Sequence, residues 1–494
     1  MGIVRKQSSW STILTYVGIL IGYVNIGFFF PKVLNEEHFG LRSILVEFSM
    51  VFGYLATFGV GGTIQKYLYS FSKDGNVQES KFLTTVFLQL VIGVLFSLLL
   101  VKIFEPQIIS FYQTKSMLFV DFLYLCFPLL GIMTLNLVFE SLLIANNATS
   151  VSTFAKEVLL RIFHFLMIML LHFKFIGITD FWSLYVGSYG LVLIFYVLYA
   201  LYKRYLKLGL HVLEFIHVKS LTEFSFFSLL GSLASMIVLK VDVLMLGGMS
   251  EDGIRDVAIY AMCILITSVI ETPKRILYQV SVPFISKYFA ERDMVSLDGL
   301  YKKTSSTMLV IGGGMLLLIW IFLDLFYQIV PRGEFFVAGK TVILILGLAK
   351  LIEMLFGANA QIISFSEKYK WSFPLILGLA ILTIYTNWLL IPLYGIEGAA
   401  YATLFCYALI NIARSILVYK LFRLHPFSVK TILGLVVVLS MLGLVSIVSF
   451  GQNILVETGV KLVVIGGGFI WLMYVFKISP EVNYFMIFFK ERKF

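Results

Sequence analysis

Charged side chains are scarce in this chain of 494 residues. Asp, Glu, Lys and Arg together make up 13% of the sequence, whereas 60% of the residues are hydrophobic. Soluble domains carry about 25% charged residues, so a water-exposed fold of this size would lack polar cover. The shortage of charge excludes a soluble globular protein and predicts a polytopic membrane protein.

Cysteine is almost absent as well. The three cysteines, Cys126, Cys263 and Cys406, each lie inside an apolar run, and no two of them form a CxxC pair. This spacing gives neither a disulfide framework nor a metal-ligand motif. We therefore expect small, buried core cysteines, no bound metal and no cofactor.

Long polar segments are also missing. The longest break between apolar runs, 203–222, has the character of an interfacial amphipathic helix, and no loop is long enough to fold as a domain outside the membrane. A polysaccharide polymerase or a membrane glycosyltransferase needs catalytic carboxylates or arginines on a sizeable outer loop. The short loops therefore disfavour an enzyme.

Apolar runs of roughly membrane-spanning length dominate the sequence. A run of about 20 residues rises about 30 Å as a helix, which matches the hydrocarbon thickness of a bilayer. The pattern predicts an all-α fold with about fourteen transmembrane helices. The predicted spans are 10–31, 43–65, 82–103, 117–144, 152–173, 180–202, 223–247, 256–283, 304–329, 339–365, 370–391, 397–421, 430–450 and 457–477.

The basic residues of the loops predict an orientation. Arg5 and Lys6 precede the first run, which is too long for a signal peptide and lacks a cleavage site. With the N-terminus inside, the inner loops and tails carry about 24 Lys and Arg and the outer loops about 9, so both termini are expected in the cytoplasm. This bias accounts for the net charge of +10 without a basic soluble face for nucleic acid.

Two loop pairs indicate an internal repeat. "LNEEHFGLRSIL" after span 1 matches "MSEDGIRDVAIY" after span 7, and "FIGITDFW" after span 5 matches "LYGIEGAA" after span 11. Positions 36 and 251, and 177 and 395, are 215 and 218 residues apart. Six spans per half insert both halves the same way up. The predicted domains are a six-helix bundle (1–202), a cytoplasmic amphipathic connector (203–222), a second six-helix bundle (223–425), and two extra helices with a basic tail that includes Lys490, Arg492 and Lys493 (426–494).

The stretch "LLIPLYGIEGAAYATL", 389–404, predicts a tight hairpin between spans 11 and 12. Gly395 and Gly398 permit a sharp reversal of the backbone. Gly398 and Ala402 then lie four residues apart on one helix face, and small residues at that spacing let helices approach closely in lipid. We expect the second helix of this hairpin to pack tightly against a neighbour.

Polar and small residues form stripes at helical spacing in three spans. Asn25 ends such a stripe in span 1, Gln361 lies in the stripe of span 10, and Asn411 in that of span 12. Each stripe is expected to face away from lipid. Two interpretations stay open for them: a packing seam between helices, or the lining of a cavity.

The charges inside the spans are candidates for function. Lys350 and Glu353 lie three residues apart near the middle of span 10, where they are able to pair. Each midplane charge costs about 2.5–3.5 kcal/mol. Pairing offsets part of this cost, so either a structural ion pair or a watery cavity explains them. Glu271, in span 8, has Lys274 and Arg275 on its own face, and a shorter span would make these two cations inner-surface anchors.

Other spans carry further charges. Lys240 and Asp242 lie in the outer half of span 7 and face different ways, and Arg414 lies in span 12. The first half offers Arg161 in span 5 and Glu140, near Asn136, in span 4. The second half therefore holds most of the intramembrane charge.

Three long segments resemble a known family. "LLIPLYGIEGAAYATLFCYALIN" resembles the hairpin of spans 11 and 12 in Wzx-type oligosaccharide flippases. "KVLNEEHFGLRSILVEFSMVFGYLATFGVGGTIQKYLYSF" resembles the region of spans 1 and 2 in that family, and "KVDVLMLGGMSEDGIRDVAIYAM" resembles the start of its second half. These flippases belong to the multidrug/oligosaccharidyl-lipid/polysaccharide exporter superfamily, together with multidrug extruders and lipid II flippases.

This resemblance implies a specific function. It implies two six-helix bundles in a V around a central cavity in a bacterial inner membrane. The implied substrate is an oligosaccharide repeat unit on undecaprenyl pyrophosphate, moved to the outer leaflet among membrane lipids, with other polysaccharide-assembly membrane proteins as partners. Cationic cavity residues would meet the pyrophosphate. Separately from the resemblance, we expect the intramembrane acids either to couple transport to protons or to form ion pairs. The candidate cations are Lys240, Lys274, Arg275, Lys350 and Arg414, and the candidate acids are Asp242, Glu271 and Glu353.

A multidrug extruder is the first alternative. It predicts an acidic cavity for cationic drugs, but span 1 has no carboxylate, and such proteins have twelve spans more often than fourteen. A polymerase or a scaffold without transport activity is the remaining alternative.

Overall fold

The computed structural model describes residues 2–73, 75–209, 215–448 and 453–479. All regular secondary structure in these residues is helical. The middle of the predicted connector (210–214) and the predicted basic tail with Lys490, Arg492 and Lys493 lie outside the described residues.

The chain forms two compact units, Met1–Ala258 (unit 1) and Ile259–Phe494 (unit 2). The helices of unit 1 are α1 (Gly2–Val24), α2 (Phe30–Val33), α3 (Glu36–Ala56), α4 (Val60–Lys73), α5 (Asn76–Ile103), α6 (Glu105–Tyr112), α7 (Met117–Asp121), α8 (Cys126–Ala145), α9 (Thr149–Thr153), α10 (Leu160–His172), α11 (Ile178–Tyr202) and α12 (Phe215–Met249). Helix α13 (Ile254–Ser268) contains the boundary between the units. Unit 2 continues with α14 (Glu271–Glu291), α15 (Met294–Ile329), α16 (Gly333–Phe336), α17 (Lys340–Leu355), α18 (Asn359–Ser364), α19 (Ser372–Phe422), α20 (Val429–Ile447), α21 (Ile454–Lys461) and α22 (Gly467–Val475).

The predicted all-α membrane fold is confirmed. The described residues contain 11 helical segments that are long and apolar enough to cross a membrane. The difference from the predicted fourteen has a structural cause. Predicted span 5 is a continuous helix that carries three charges, Lys156, Glu157 and Arg161. Predicted span 8 is divided between α13 and α14, and predicted spans 11 and 12 lie in the single segment Tyr369–Phe422. Within the described residues, each predicted span is mainly helical.

The boundary between the compact units differs from the predicted domain boundary. Helix α12, expected to start the second bundle, belongs to unit 1 and packs against α3 and α4. Thr63 Oγ1 lies 2.6 Å from Ser225 Oγ, and a Cβ atom at Gly59 would lie 2.7 Å from the backbone carbon of Ser225. Small residues let these backbones approach closely. The predicted division into bundles on either side of 203–222 stays a prediction.

The predicted hairpin of 389–404 is present within α19. Gly395 interrupts the helix with φ 55° and ψ −129°, a conformation that is accessible essentially to glycine alone. A Cβ atom at Gly398 would lie 2.6 Å from the backbone carbon of Leu390. Thr386 Oγ1 lies 3.5 Å from Cys406 Sγ on the other leg. The two legs therefore pack side by side through small residues.

The two extra helices belong to the core of unit 2. Val438 of α20 and Phe469 of α22 are buried in one cluster with Leu316 of α15. A Cβ atom at Gly313 of α15 would lie 2.5 Å from a methyl group of Val438. This close contact makes α20 and α22 integral to the packing of unit 2.

Three segments of the described chain are π-helical rather than α-helical. Asn25–Phe29, Phe154–Leu159 and Leu462–Gly466 are π-helical, and the first two continue directly into α2 and α10. Helix α1 packs against the segment Phe154–Leu159 and the start of α10. Gly18 of α1 lies against Glu157, and Gly22 lies against Arg161. π-helical turns are rare and occur frequently at functional sites.

The three cysteines are buried, as predicted. The described residues contain no group of three or more His, Cys, Asp and Glu side chains that could hold a metal ion.

Candidate functional site

Two ion pairs join α14 to α17 inside unit 2. Lys274 Nζ lies 2.6 Å from Glu353 Oε2, and Lys350 Nζ pairs with Glu271 Oε1. The pairs cross between the helices, so that each helix supplies one lysine and one glutamate. The exposed fractions of these side chains are 12% for Lys274, 20% for Glu353, 15% for Lys350 and 18% for Glu271. The network is therefore largely enclosed by protein.

Further polar groups surround Lys350. Its ammonium group donates a hydrogen bond of 3.2 Å to the hydroxyl of Tyr407 and lies 4.8 Å from the centre of that ring. Arg414, two turns further along α19, acts electrostatically on Glu353, Tyr278 and Tyr407. Residues predicted from three separate spans are thus brought together in one network.

The two arginines of this network are less closely paired with acids than the two lysines are. Arg275 is 67% exposed and makes only a 3.5 Å contact with Glu271. Arg414 forms no ion pair in the part of the chain that the structure describes. Four cations against two acids leave an excess of two positive charges, and the arginines carry it because both lysines are neutralised at close range.

The pairing within span 10 was predicted incorrectly. Lys350 and Glu353 are three residues apart on α17, but each forms its ion pair with a residue of α14. The reason is the break between α13 and α14, which places Glu271 and Lys274 in the first turn of a new helix beside α17. That both charges avoid lipid stays a prediction, and both side chains are largely covered by protein.

Lys240 and Asp242 lie in unit 1. Lys240 Nζ forms a 2.7 Å ion pair with Glu47 Oε1, which joins α12 to α3. Asp242 is buried. Lys240 is therefore neutralised as closely as the lysines of unit 2, and its partner Glu47 was not anticipated from the sequence.

The polar stripe residues serve mainly as packing contacts. Asn25 is buried and donates a 2.8 Å hydrogen bond to the backbone oxygen of Arg161. Asn411 is buried and accepts a 3.0 Å hydrogen bond from Asn359. Gln361 lies in α18, and its Oε1 atom is enclosed without a hydrogen-bond partner. The packing-seam interpretation therefore suits Asn25 and Asn411.

Unit 1 contains two ion pairs that were not predicted from the sequence. Arg161 pairs with Glu157 at 2.7 Å, and Glu140 pairs with Lys156 at 3.2 Å. A Cβ atom at Gly22 of α1 would lie 3.0 Å from the guanidinium of Arg161. The glycines of α1 thus make room for a charged side chain rather than only for a helix backbone.

Arg42 and His164 were not predicted as site residues from the sequence. Arg42 lies just outside the predicted second span, yet the helix begins at Glu36 and places it inside unit 1, 5.7 Å from the ring of Phe30. The ring of His164 stacks on Tyr185 at 4.4 Å between centroids. The signal that could have found both residues is an ionisable side chain within or beside a long apolar run.

Comparisons with known proteins rest on structure alone. No family model matches the chain, and no curated protein matches it. The lipid II flippase MurJ in an inward closed conformation is similar, with a TM-score of 0.70 and 15% identity over 95% of this chain and 99% of that chain.

Multidrug transporters share the fold. An inward-facing multidrug resistance MATE family transporter of the MOP superfamily has a TM-score of 0.66 and 14% identity, over 83% of this chain and 98% of that chain. A MOP superfamily transporter from Pyrococcus furiosus, whose report describes a binding pocket of reversed polarity, has a TM-score of 0.52 and 12% identity, over 90% and 97%. These structures are of a flippase and of transporters, and the chain shares their fold.

Proposed function

We propose that this protein is a flippase for oligosaccharide repeat units linked to undecaprenyl pyrophosphate. It moves them from the cytoplasmic to the outer leaflet of a bacterial inner membrane by alternating access, with both termini in the cytoplasm. The observation that carries the proposal is the excess of two positive charges in the network of Lys274, Arg275, Lys350 and Arg414. The shared fold with a lipid II flippase supports it.

The charge of the headgroup explains the need for this network. A pyrophosphate between a lipid and a sugar keeps an ionised oxygen on each phosphate, and burying such a charge without a partner costs many kcal/mol. Fixed cations within a transmembrane fold replace the lost hydration. The two uncompensated positive charges match the two ionised phosphates in number.

We assign the phosphate contacts to Arg275 and Arg414. One guanidinium group can donate two parallel hydrogen bonds to two oxygens of the same phosphate, because its N–H groups are held in one plane. Lys274 and Lys350 would have to give up a glutamate before they could bind an anion. In this division the lysines join α14 to α17, and the arginines contact the substrate.

The two glutamates are candidates for ion coupling. Protonation of Glu271 or Glu353 would release a lysine, and the released charge would favour a conformation that attracts the anionic headgroup. If the Glu271→Gln and Glu353→Gln variant transported at an unchanged rate and with an unchanged dependence on the proton gradient, proton coupling through these residues would be wrong.

A multidrug or cation antiporter is the second candidate, favoured by the MATE-family neighbour. A site for cationic drugs needs acids that are free to bind them. Both glutamates of this network are instead paired with lysines, and the net charge is positive. The electrostatics therefore favour an anionic substrate.

Genetic deletion tests the proposed function. The deletion strain should lose surface polysaccharide and accumulate lipid-linked repeat units on the cytoplasmic side, and the wild-type gene should reverse both effects. A gene carrying Arg275→Gln and Arg414→Gln should not. Intact polysaccharide with a loss of drug resistance would instead establish the antiporter.

A further inference from the structure

Unit 1 contains a second polar cluster that the proposed headgroup contacts do not use. It is formed by four helices, α3, α8, α10 and α11. Its members are Arg42, Glu47, Asn136, Arg161, His164, Tyr185 and Tyr189.

Ring contacts, a hydrogen bond and electrostatic interactions connect these residues, and Arg42 and Glu47 both act electrostatically on Tyr189. The ring of His164 lies 4.4 Å from that of Tyr185 and 5.4 Å from that of Tyr189. Asn136 Nδ2 donates a 3.1 Å hydrogen bond to the backbone oxygen of Tyr189. Arg42 and Arg161 both act electrostatically on His164. His164, Tyr185 and Tyr189 are in mutual ring contact, and the charged and amide groups interact with these three residues.

Five enclosed polar atoms in this cluster have no hydrogen-bond partner. Two belong to guanidinium groups, Arg42 Nε and Arg161 NH1, and are donors. Two are acceptors, Glu47 Oε2 and Asn136 Oδ1, and the fifth is the ring atom His164 Nε2. An enclosed polar group without a partner destabilises the protein, so a ligand that satisfies several of these groups would gain affinity from each of them.

The mixture of donors and acceptors identifies the ligand class. A phosphate or a carboxylate accepts hydrogen bonds and would meet the carboxylate of Glu47. A hydroxyl group both donates and accepts, so a polyol can satisfy the arginine donors and the Glu47 and Asn136 acceptors together. Most of the charge is already balanced, because Arg161 pairs with Glu157 and Glu47 pairs with Lys240.

We propose that this cluster is a saccharide subsite, in which the hydroxyl groups of the repeat unit bind Arg42, Glu47, Asn136, Arg161 and His164 and a sugar ring lies against Tyr185 or Tyr189. The proposal rests on the proposed flippase function and adds recognition of the sugar to it. The subsite lies wholly within unit 1. Its polar atoms are enclosed in this conformation, so the saccharide reaches them after the surrounding helices have parted.

Two lipids separate the contribution of the sugar from that of the pyrophosphate. The full-length protein in lipid nanodiscs is titrated with undecaprenyl pyrophosphate and with the glycosylated lipid that accumulates in the deletion strain. We expect the wild-type protein to bind the glycosylated lipid at least 10-fold more tightly. His164→Phe keeps the ring stacked on Tyr185 but removes Nε2. It should weaken binding of the glycosylated lipid about 3- to 10-fold and leave binding of the bare lipid unchanged.

Two further variants provide an independent test and a control. Asn136→Ala removes an acceptor from a different helix and should give the same selective loss. His172→Phe, at the exposed end of α10, is the matched control and should bind both lipids as the wild type does. Thermal unfolding of each variant establishes that it is folded.

Each outcome bears on a different claim. Equal binding of the two lipids by the wild type, or equal weakening of both by His164→Phe, would overturn the saccharide subsite and leave the flippase proposal standing. Selective loss for the glycosylated lipid, in a protein that does not bind the bare lipid, would support the subsite and overturn the proposed pyrophosphate contacts. Binding of neither lipid would overturn both.

Discussion

At the scale of single residues, most intramembrane charges form ion pairs with residues of other helices. The sequence was sufficient to place Glu271, Lys274, Lys350 and Glu353 inside spans, because an ionisable residue in a long apolar run is conspicuous. It could not identify their partners. The crossed pairing depends on where α14 begins relative to α17, and a helix break of two residues is invisible to hydropathy.

Removal of one partner of a crossed pair should destabilise unit 2. We expect Lys350→Gln to lower the free energy of unfolding by about 3–5 kcal/mol, because Glu271 then remains enclosed and uncompensated. The double variant Lys350→Gln with Glu271→Gln should recover most of this loss. Thermal unfolding in detergent measures both effects.

The exposed pair Lys287–Glu291 provides the control. Its side chains are 61% and 55% exposed, so Lys287→Gln should change stability by no more than about 1 kcal/mol. A comparable loss for Lys287→Gln and Lys350→Gln would contradict the structural role of the crossed pairs.

Conservative replacement of the arginines tests the phosphate contacts. Arg414→Lys keeps the charge but loses the planar fork, and we expect a loss of about 10-fold in flipping rate. The assay uses proteoliposomes and the accumulated lipid-linked repeat. Arg423→Lys, at the end of the same helix, should flip as the wild type does, and an unaffected Arg414→Lys variant would argue against a bidentate contact.

At the scale of elements, small residues determine where helices bend and touch. The hairpin in α19 was predictable because Gly395 and Gly398 stand between apolar runs. The interruptions of predicted spans 2, 8 and 10 were not, since their flanking residues are as apolar as those of a continuous helix. The structure shows a left-handed backbone at Gly59 and Gly357, at the breaks after α3 and α17.

Two glycines of α19 should respond differently to alanine. At Gly398 a Cβ atom would meet the backbone of Leu390 at 2.6 Å, so Gly398→Ala should destabilise the protein by about 1–3 kcal/mol. At Gly378 of the same helix a Cβ atom meets nothing within 4 Å, so Gly378→Ala should leave the melting temperature unchanged or slightly higher. Equal melting temperatures for the two variants would contradict the close approach of the two legs.

At the scale of the whole molecule, the number of spans and the fold class were predictable, whereas the compact units were not. Hydropathy reports which segments enter lipid and says nothing of which helices they contact. The repeat placed α12 in the second half, yet its small residues contact α4 in unit 1. Helix α12 belongs to unit 1 because its surface fits against α3 and α4. Hydropathy does not report this fit.

The orientation of the chain can be measured with single cysteines. In a background without the three native cysteines, Glu251→Cys should react with an impermeant thiol reagent added to intact spheroplasts, because the loop after α12 is expected outside. Lys203→Cys, at the end of α11, should react only after the membrane is opened. The reverse pattern would place both termini outside. Both positions are exposed in the structure, so a lack of reaction has no steric cause.

The π-helical turn at Asn25–Phe29 has a consequence for chain length. Such a turn accommodates one residue more than an α-helical turn over the same rise, so a single deletion there should convert it to regular helix without breaking the transmembrane segment. Because the π-helical turn absorbs the extra residue locally, the helix before it would keep its orientation about the axis. Gly18 and Gly22 would still face Glu157 and Arg161. Close homologues that lack this extra residue should therefore keep glycine at the two corresponding positions of their first helix.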